Sequence, residues 1–297
     1  MSYKLFYFIF SLIIILPGIY FLVTSGLKLG IDFTGGALLE YRFEKTVNMQ
    51  NLMKEFESLG VEVRQITSTE ENNYIMGVTY VIRTKPVEQT KLNEVRNHLY
   101  SKFGKLEERR VENVGPVIGQ ETQKKASLAI LAASIAIVLY ISFSFRKVPK
   151  PASSWRFGIC AILALLHDVL LVVGIFAILG HFLGVEVDTL FVTALLTIIG
   201  FSVHDTIVVF DRIRENLIKN IGRKFSDVAN ISVIQTLARS LNTSLTVVFV
   251  LVALLLFGGE TLKWFVVALL IGIISGTYSS IFNATALLVW WEEKLGH

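Results

Sequence analysis

The sequence predicts an α-helical polytopic membrane protein with six spans and one α+β domain inserted between the first span and the second. Three observations predict it. Of 297 residues, 53% are hydrophobic and 18% charged, where a soluble domain carries roughly a quarter. The apolar residues gather in one N-terminal run and in several runs after residue 125. Between them, residues 26–125 have the mixed composition of an ordinary soluble domain. The net charge of +4 does not imply nucleic acid, because the basic residues sit beside apolar runs. Cys160 is the one cysteine, which excludes an intrachain disulfide or a cysteine-based metal site. There is no P-loop, spaced GxGxxG or HExxH motif, so no enzyme, cofactor or metal is expected.

A spanning helix needs roughly 20 mostly apolar residues. Such runs lie near 5–25, 126–145, 157–180, 188–210, 238–257 and 264–290. The first, Leu5 to Val23, is longer than a signal-peptide core and has weak cleavage character after it, so it reads as a retained anchor. Orientation follows from the short loops. The loop at 146–156 carries Arg146, Lys147, Lys150 and Arg156 and no acid, and the loop at 211–237 carries Arg212, Arg214, Lys219, Arg223 and Lys224. The alternate loops hold His181, Glu186 and Asp188 in one, Glu260 and Lys263 in the other. The positive-inside rule puts the basic loops and both termini in the cytoplasm and residues 26–125 outside.

The insertion reads βαββαβ. In "ALLEYRF", Leu39, Tyr41 and Phe43 alternate with Glu40 and Arg42, the pattern of a half-buried strand. Leu52, Met53, Phe56 and Leu59 follow helical spacing, with Gly60 as a stop. "VEVRQI" and "YIMGVTYVIRT" are strands around a turn near Glu71 to Asn73. Leu92, Val95, Leu99 and Phe103 mark a second helix ended by Gly104, and "KLEERRVENV" is the last strand. That order predicts a ferredoxin-like sandwich. Its mixed acids and bases suggest a solvated binding or mechanical surface and no catalytic site.

Polar residues inside the spans are costly and need a reason. On the fourth span Ser202, Asp205 and Thr206 share one helical face. His204 is adjacent to Asp205 and so points about 100° away. On the fifth, Arg239, Asn242, Thr243 and Thr246 form a polar stripe; Thr243 and Thr246 could equally bond only their own backbone. The third contributes His167 and Asp168, which fit either a structural bond or a functional pair. Gly272 and Gly276, followed by Ser279 and Ser280, suggest close helix packing in the sixth. Asp211, Arg212, Arg214 and Glu215 suggest an interfacial salt-bridge cluster. Asp205 and Arg239 both lie near the cytoplasmic ends of consecutive antiparallel spans. A nearby guanidinium would favour the ionised acid and desolvation the neutral one, so a movable pair could relay protons. A static buried pair is the alternative.

Several segments carry a resemblance covering most of the chain: "GIDFTGG" (30–36), "VGPVIGQE" (114–121), "HD" (167–168), "IIGFSVHDTIVVFDRIREN" (198–216), "LARSLNTSLT" (237–246), "FGGETLKWF" and "GIISGTYSS". The sequence is similar to the SecD/SecF family of protein-export membrane proteins, in the resistance-nodulation-division (RND) superfamily. The resemblance implies half of a pseudo-twofold RND-type bundle, with SecD as obligate partner supplying the other half. It implies association with the SecYEG translocon and with translocating preprotein in the lipid of the bacterial inner membrane, driven by the proton-motive force. Asp205 matches the family's proton-pathway acid and Arg239 its arginine. Ser202, His204, Thr206, Asn242, Thr243, His167 and Asp168 are candidate supporting residues. Asp32, Gly35, Gly36, Gly115, Pro116 and Gly119 fall in the family motifs. Two positions depart from the pattern: His204 stands where Asn is common, and Ser240 where Thr is common. The family also includes sodium-driven members, so the coupling ion stays open between proton and sodium. The alternatives are a small-molecule or lipid exporter subunit of the same superfamily, or a non-transporting scaffold. An intramembrane aspartyl protease fits poorly, since no GxGD motif is present.

Overall fold

The structure is a computed structural model describing residues 4–70, 77–146, 148–149 and 152–294. The first elements are α1 (Lys4–Thr24), α2 (Ile31–Thr34), β1 (Gly36–Phe43), α3 (Met49–Ser58), β2 (Val63–Glu70), β3 (Val78–Thr84), α4 (Gln89–Phe103) and β4 (Leu106–Val114). Then follow α5 (Pro116–Ser144), α6 (Ser154–Leu183), α7 (Thr189–Lys219), α8 (Phe225–Phe257), α9 (Glu260–Tyr278), a π-helical turn (Ser279–Ala284) and α10 (Thr285–Lys294). The chain divides into two compact units, Met1–Lys28 with Leu128–His297, and Leu29–Ser127.

In the helical unit, six segments are long and apolar enough to cross a membrane: α1, α5, α6, α7, α8 and the sixth, which runs from α9 through α10. Residues 211–237, expected as a loop, are helical except for 220–224. The apolar run stops there but helical pairing does not: Asp211–Arg214, Arg212–Glu215 and Glu215–Lys219 each close at 2.5 Å, three or four residues apart. Such pairs support a helix after hydrophobicity ends. The expected turn at Glu71–Asn73, and Lys147 and Lys150, lie outside the described residues.

α6, α7 and the sixth span form the buried centre, while α1, α5 and α8 keep most of their apolar surface outward. That is the arrangement expected where lipid or another chain is the solvent. Phe145, Phe157 and Phe210 meet in one aromatic cluster with centroids 5.2–5.8 Å apart. α1 crosses α6 at Gly18 and Gly174, where a Cβ on either would lie 2.8 Å from the other's Cα. At one end of the bundle, Arg156 of α6 pairs with the fully buried Glu292 of α10 at 2.8 Å. Trp155 packs edge-on against Trp291 beside it, and Lys4 pairs with Glu293.

The second unit is a four-stranded antiparallel sheet in the order β2-β3-β1-β4. With α3 and α4 on one face, this is the expected βαββαβ sandwich, preceded by the short α2 that alternation did not reveal. Leu39, Tyr41 and Phe43 of β1 are buried with Tyr80, Ile82, Leu52, Phe56, Leu92, Val95 and Leu99. Burying each large apolar side chain favours the fold by about 1.5–3 kcal/mol. Met53, expected on the buried face of α3, is exposed. It follows Leu52 by one residue and so turns about 100° away from the sheet. Burial, with Glu108 nearby, pushes the Tyr41 phenol up to about 12. The Tyr80 hydroxyl donates to the Val47 carbonyl (2.7 Å) and accepts from the Val47 N–H (2.9 Å), pinning the loop before α3.

Candidate functional site

The inner face of α7 carries the polar residues that sequence periodicity grouped. Ser202, Asp205 and Thr206 are all buried. Each has a different fate. Ser202 donates to Asp168 Oδ2 at 2.6 Å. Thr206 exchanges a hydrogen bond with Ser280 of the π-helical turn at 2.8 Å. Asp205, 2% exposed, has an Oδ2 with no hydrogen-bond partner. A buried acceptor left unsatisfied costs about 1–3 kcal/mol, more if charged. Among the described residues its ion-pair contact is His204, with Nδ1 3.7 Å from Oδ1. The His204 side chain is itself 65% exposed. The neighbour expected to point away therefore leans back toward the acid.

Arg239 is not within 4.0 Å of Asp205, and it is exposed on α8 with Asn242 and Thr246. The predicted stripe thus faces out of this chain. Thr243 donates to the Arg239 carbonyl (2.9 Å) and Thr246 to the Thr243 carbonyl (2.7 Å), which is the plain backbone-bonding role. The buried hydroxyls of α8 are instead Ser240 and Ser244. Ser244 bonds Thr277 of α9 at 2.6 Å, while Ser240 Oγ has no partner. Periodicity marked the polar stripe, but Ser240 and Ser244 form their own i, i+4 pair, and that spacing could have found them.

Asp168 is a carboxylate held from several sides. It is fully buried and accepts from Ser202 (2.6 Å), Ser279 (2.6 Å), Ser275 (3.2 Å) and the ring Nδ1 of His167 (2.9 Å). These donors come from α6, α7, α9 and the π-helical turn. His167 Nε2 in turn meets the Asn283 amide nitrogen at 3.1 Å, and that nitrogen reaches Ser11 Oγ of α1 at 2.7 Å. Sequence reasoning missed Ser275, Asn283 and Ser11. The glycine pair of α9 makes the approach: a Cβ on Gly276 would come within 3.3 Å of Ser202 Cβ and 3.5 Å of Asp168 Oδ2, and one on Gly272 within 2.3 Å of Ile198 Cδ1. Among the described residues, no group of three or more His, Cys, Asp or Glu is placed to hold a metal ion.

The two glycine motifs interlock inside the second unit. Gly35 and Gly36 adopt φ of +67° and +142°, which disfavour any side chain. A Cβ on Gly36 would strike the Thr84 carbonyl at 2.6 Å. A Cβ on Gly35 would meet Pro116 Cα at 3.0 Å, and one on Gly119 the Gly35 nitrogen at 2.8 Å. Arg64 donates to Thr34 Oγ1 (3.2 Å) and to the Gly35 carbonyl (3.3 Å) across the same knot. Asp32 lies in the first turn of α2. The structure gives no steric reason for glycine at 115.

Comparison with known proteins places this arrangement. Residues 94–294 match the family described as "Protein export membrane protein SecD/SecF, C-terminal", and residues 20–47 match "SecD/SecF GG Motif". The protein translocase subunit SecF of Thermobaculum terrenum is 51% identical over 97% of this chain and 92% of its own length. The protein translocase subunit SecDF of Bacillus subtilis is 36% identical over 99% of this chain, which spans 38% of it. The crystal structure of SecDF, a translocon-associated membrane protein, from Thermus thermophilus superposes with a TM-score of 0.84 at 33% identity, over 99% of this chain and 38% of that one. With most of its length matched and relatives alike from end to end, the chain belongs to the SecD/SecF family of protein-export membrane proteins.

Proposed function

We propose that this chain is a subunit of the Sec protein-translocation machinery of the bacterial inner membrane, acting with SecD and beside the SecYEG translocon on a translocating preprotein. Both termini are cytoplasmic in this reading, and the sandwich is extracytoplasmic. The SecDF relatives, which are longer chains, favour SecD as the partner, and the relatives' names disfavour an exporter or a scaffold. The energy source is the proton-motive force, with Asp205 as the group that takes and gives the proton. The observation that carries this is a carboxylate buried at span depth with one oxygen unpartnered. Arg239, facing outward on α8, would act on it through the partner's half of the bundle or by a movement of α8.

Moving one charge through 100 mV releases about 2.3 kcal/mol. A few protons per cycle can therefore tilt a two-state equilibrium far to one side. Asp205→Asn keeps the shape and removes the titrating group. In vesicles holding the SecD partner and SecYEG, the variant is expected to lose proton-driven export while the complex still assembles. Export that responds to the gradient as before would refute the role of Asp205.

A further inference from the structure

The string running from Asp168 to Ser11 is not needed by the Asp205 reading, and its hydrogen-bond directions are informative. Asp168 accepts from three serine hydroxyls and from His167 Nδ1, so Nδ1 carries a proton. The Asn283 amide nitrogen lies 3.1 Å from Nε2 and 2.7 Å from Ser11 Oγ. In this arrangement both amide hydrogens are donated, Nε2 is a bare acceptor and the ring is neutral. The Asn283 carbonyl oxygen is then buried without a partner. Turning that amide over by 180° exchanges its nitrogen and oxygen and leaves the other heavy atoms in place. The carbonyl would then accept from an Nε2–H and from the Ser11 hydroxyl. The same scaffold thus holds either a neutral imidazole or an imidazolium facing the Asp168 carboxylate.

We propose that His167 is a second proton-binding group of the bundle, with Asp168 as its fixed counter-charge and Asn283 as an amide that turns over when the proton binds. The proton adds at Nε2, and no bond between heavy atoms changes. Ser11 switches from accepting to donating, so the event is reported to α1. The His167 side chain is 14% exposed. Among the described residues, no ionisable partner other than Asp168 lies within ion-pair distance of it. Of the ionisable groups on neighbouring elements, Asp205 of α7 contacts His204 and Glu292 of α10 pairs with Arg156. Tyr7 lies one turn from Ser11 on α1, its carbonyl taking a hydrogen bond from Tyr278 of α9 at 3.2 Å. Only the link from this proton to export rests on the proposed function; the titration itself does not.

The test is ¹⁵N NMR of histidine-labelled full-length chain with its partner, in lipid, with the His167 signal assigned by His167→Gln among the five histidines. Wild type is expected to show both the neutral Nδ1–H form and the imidazolium, as distinct ring-nitrogen signals, when the pH is lowered from about 9 to about 5. Asn283→Asp places a carboxylate opposite Nε2 and should raise the charged-to-neutral ratio at pH 7 by about tenfold or more. Asn283→Leu removes the acceptor and should lower that ratio by a similar factor. A ring that stays in one form across the range overturns the proposal, as does a ratio unmoved by both substitutions. Proton-driven export in Asp205→Asn is scored separately. Its persistence would sink the Asp205 role and leave the His167 titration standing or falling on its own spectrum.

Discussion

The crossing of α1 and α6 makes the sharpest demand on sequence. Gly18 and Gly174 face each other so closely that a Cβ on Gly174 would lie 2.8 Å from Gly18 Cα and 3.1 Å from Gly18 C. Ordinary contact for a Cβ begins at 3.4 Å. The helices would have to part by about 0.6 Å, and the blocking atoms are backbone, with no flexible side chain to yield. Overpacking of this kind costs about 1–3 kcal/mol. In a two-state equilibrium that is roughly a 5- to 150-fold loss. α1 has most of its surface outside the bundle; besides this crossing it is tied to the sixth span through Lys4–Glu293, Ser11–Asn283 and Tyr7–Tyr278. Steric trapping with tags on α1 and α6 in bicelles would measure the separation equilibrium of Gly174→Ala. Gly18→Ala should cost about as much. The double variant should cost less than the sum, because one retreat relieves both clashes. A single alanine within about 0.3 kcal/mol of wild type, or strict additivity in the pair, would refute the reasoning.

Gly119→Ala puts a Cβ 2.8 Å from the Gly35 nitrogen and 3.0 Å from the Phe33 carbonyl; amide exchange of residues 31–36 in the full chain should speed up about fivefold or more, as overpacking by about 1–3 kcal/mol requires. In the sandwich, Lys102 and then His98 hold the Glu55 carboxyl below the usual carboxylate range. A lowered folded value means the link between α3 and α4 contributes stability above the ordinary carboxylate range, near about 4.3, and loses it as pH falls through the folded value. Exchange in α3 and α4, corrected for intrinsic rates, should therefore rise on acidification in wild type and flatten in Glu55→Gln.

The spans were legible because twenty apolar residues have few other uses, and the sandwich because its strands alternate and its helices do not. The polar site was legible only in part. His167, Asp168, Ser202, Asp205 and Thr206 stood out as charged or clustered in apolar surroundings. Their partners did not. Ser134 and Ser142 donate to carbonyls four residues back on their own helix, while Ser279 reaches Asp168 on another; nothing in the residue type separates the two. The side of α8 was equally hidden. Lipid-facing and buried surfaces are both apolar, so the amphipathic contrast that orients a helix in a soluble protein is missing. Arg239 faces out and Ser240, one residue on, faces in. The charge at 211–224 marked where the apolar run ends, and charge alone says nothing of whether the helix continues.

The π-helical turn in the sixth span has a consequence for everything after it. Its i→i+5 bonding accommodates one residue more than an α-helical turn would. Were that extra residue expelled, all of α10 would swivel by about 100°. Glu292 would then leave the face that meets Arg156, and Asn283 would lose its aim at Ser11. The buried Arg156–Glu292 ion pair therefore serves as an angular stop: it holds α10 to the setting in which Asn283 stays aimed at Ser11.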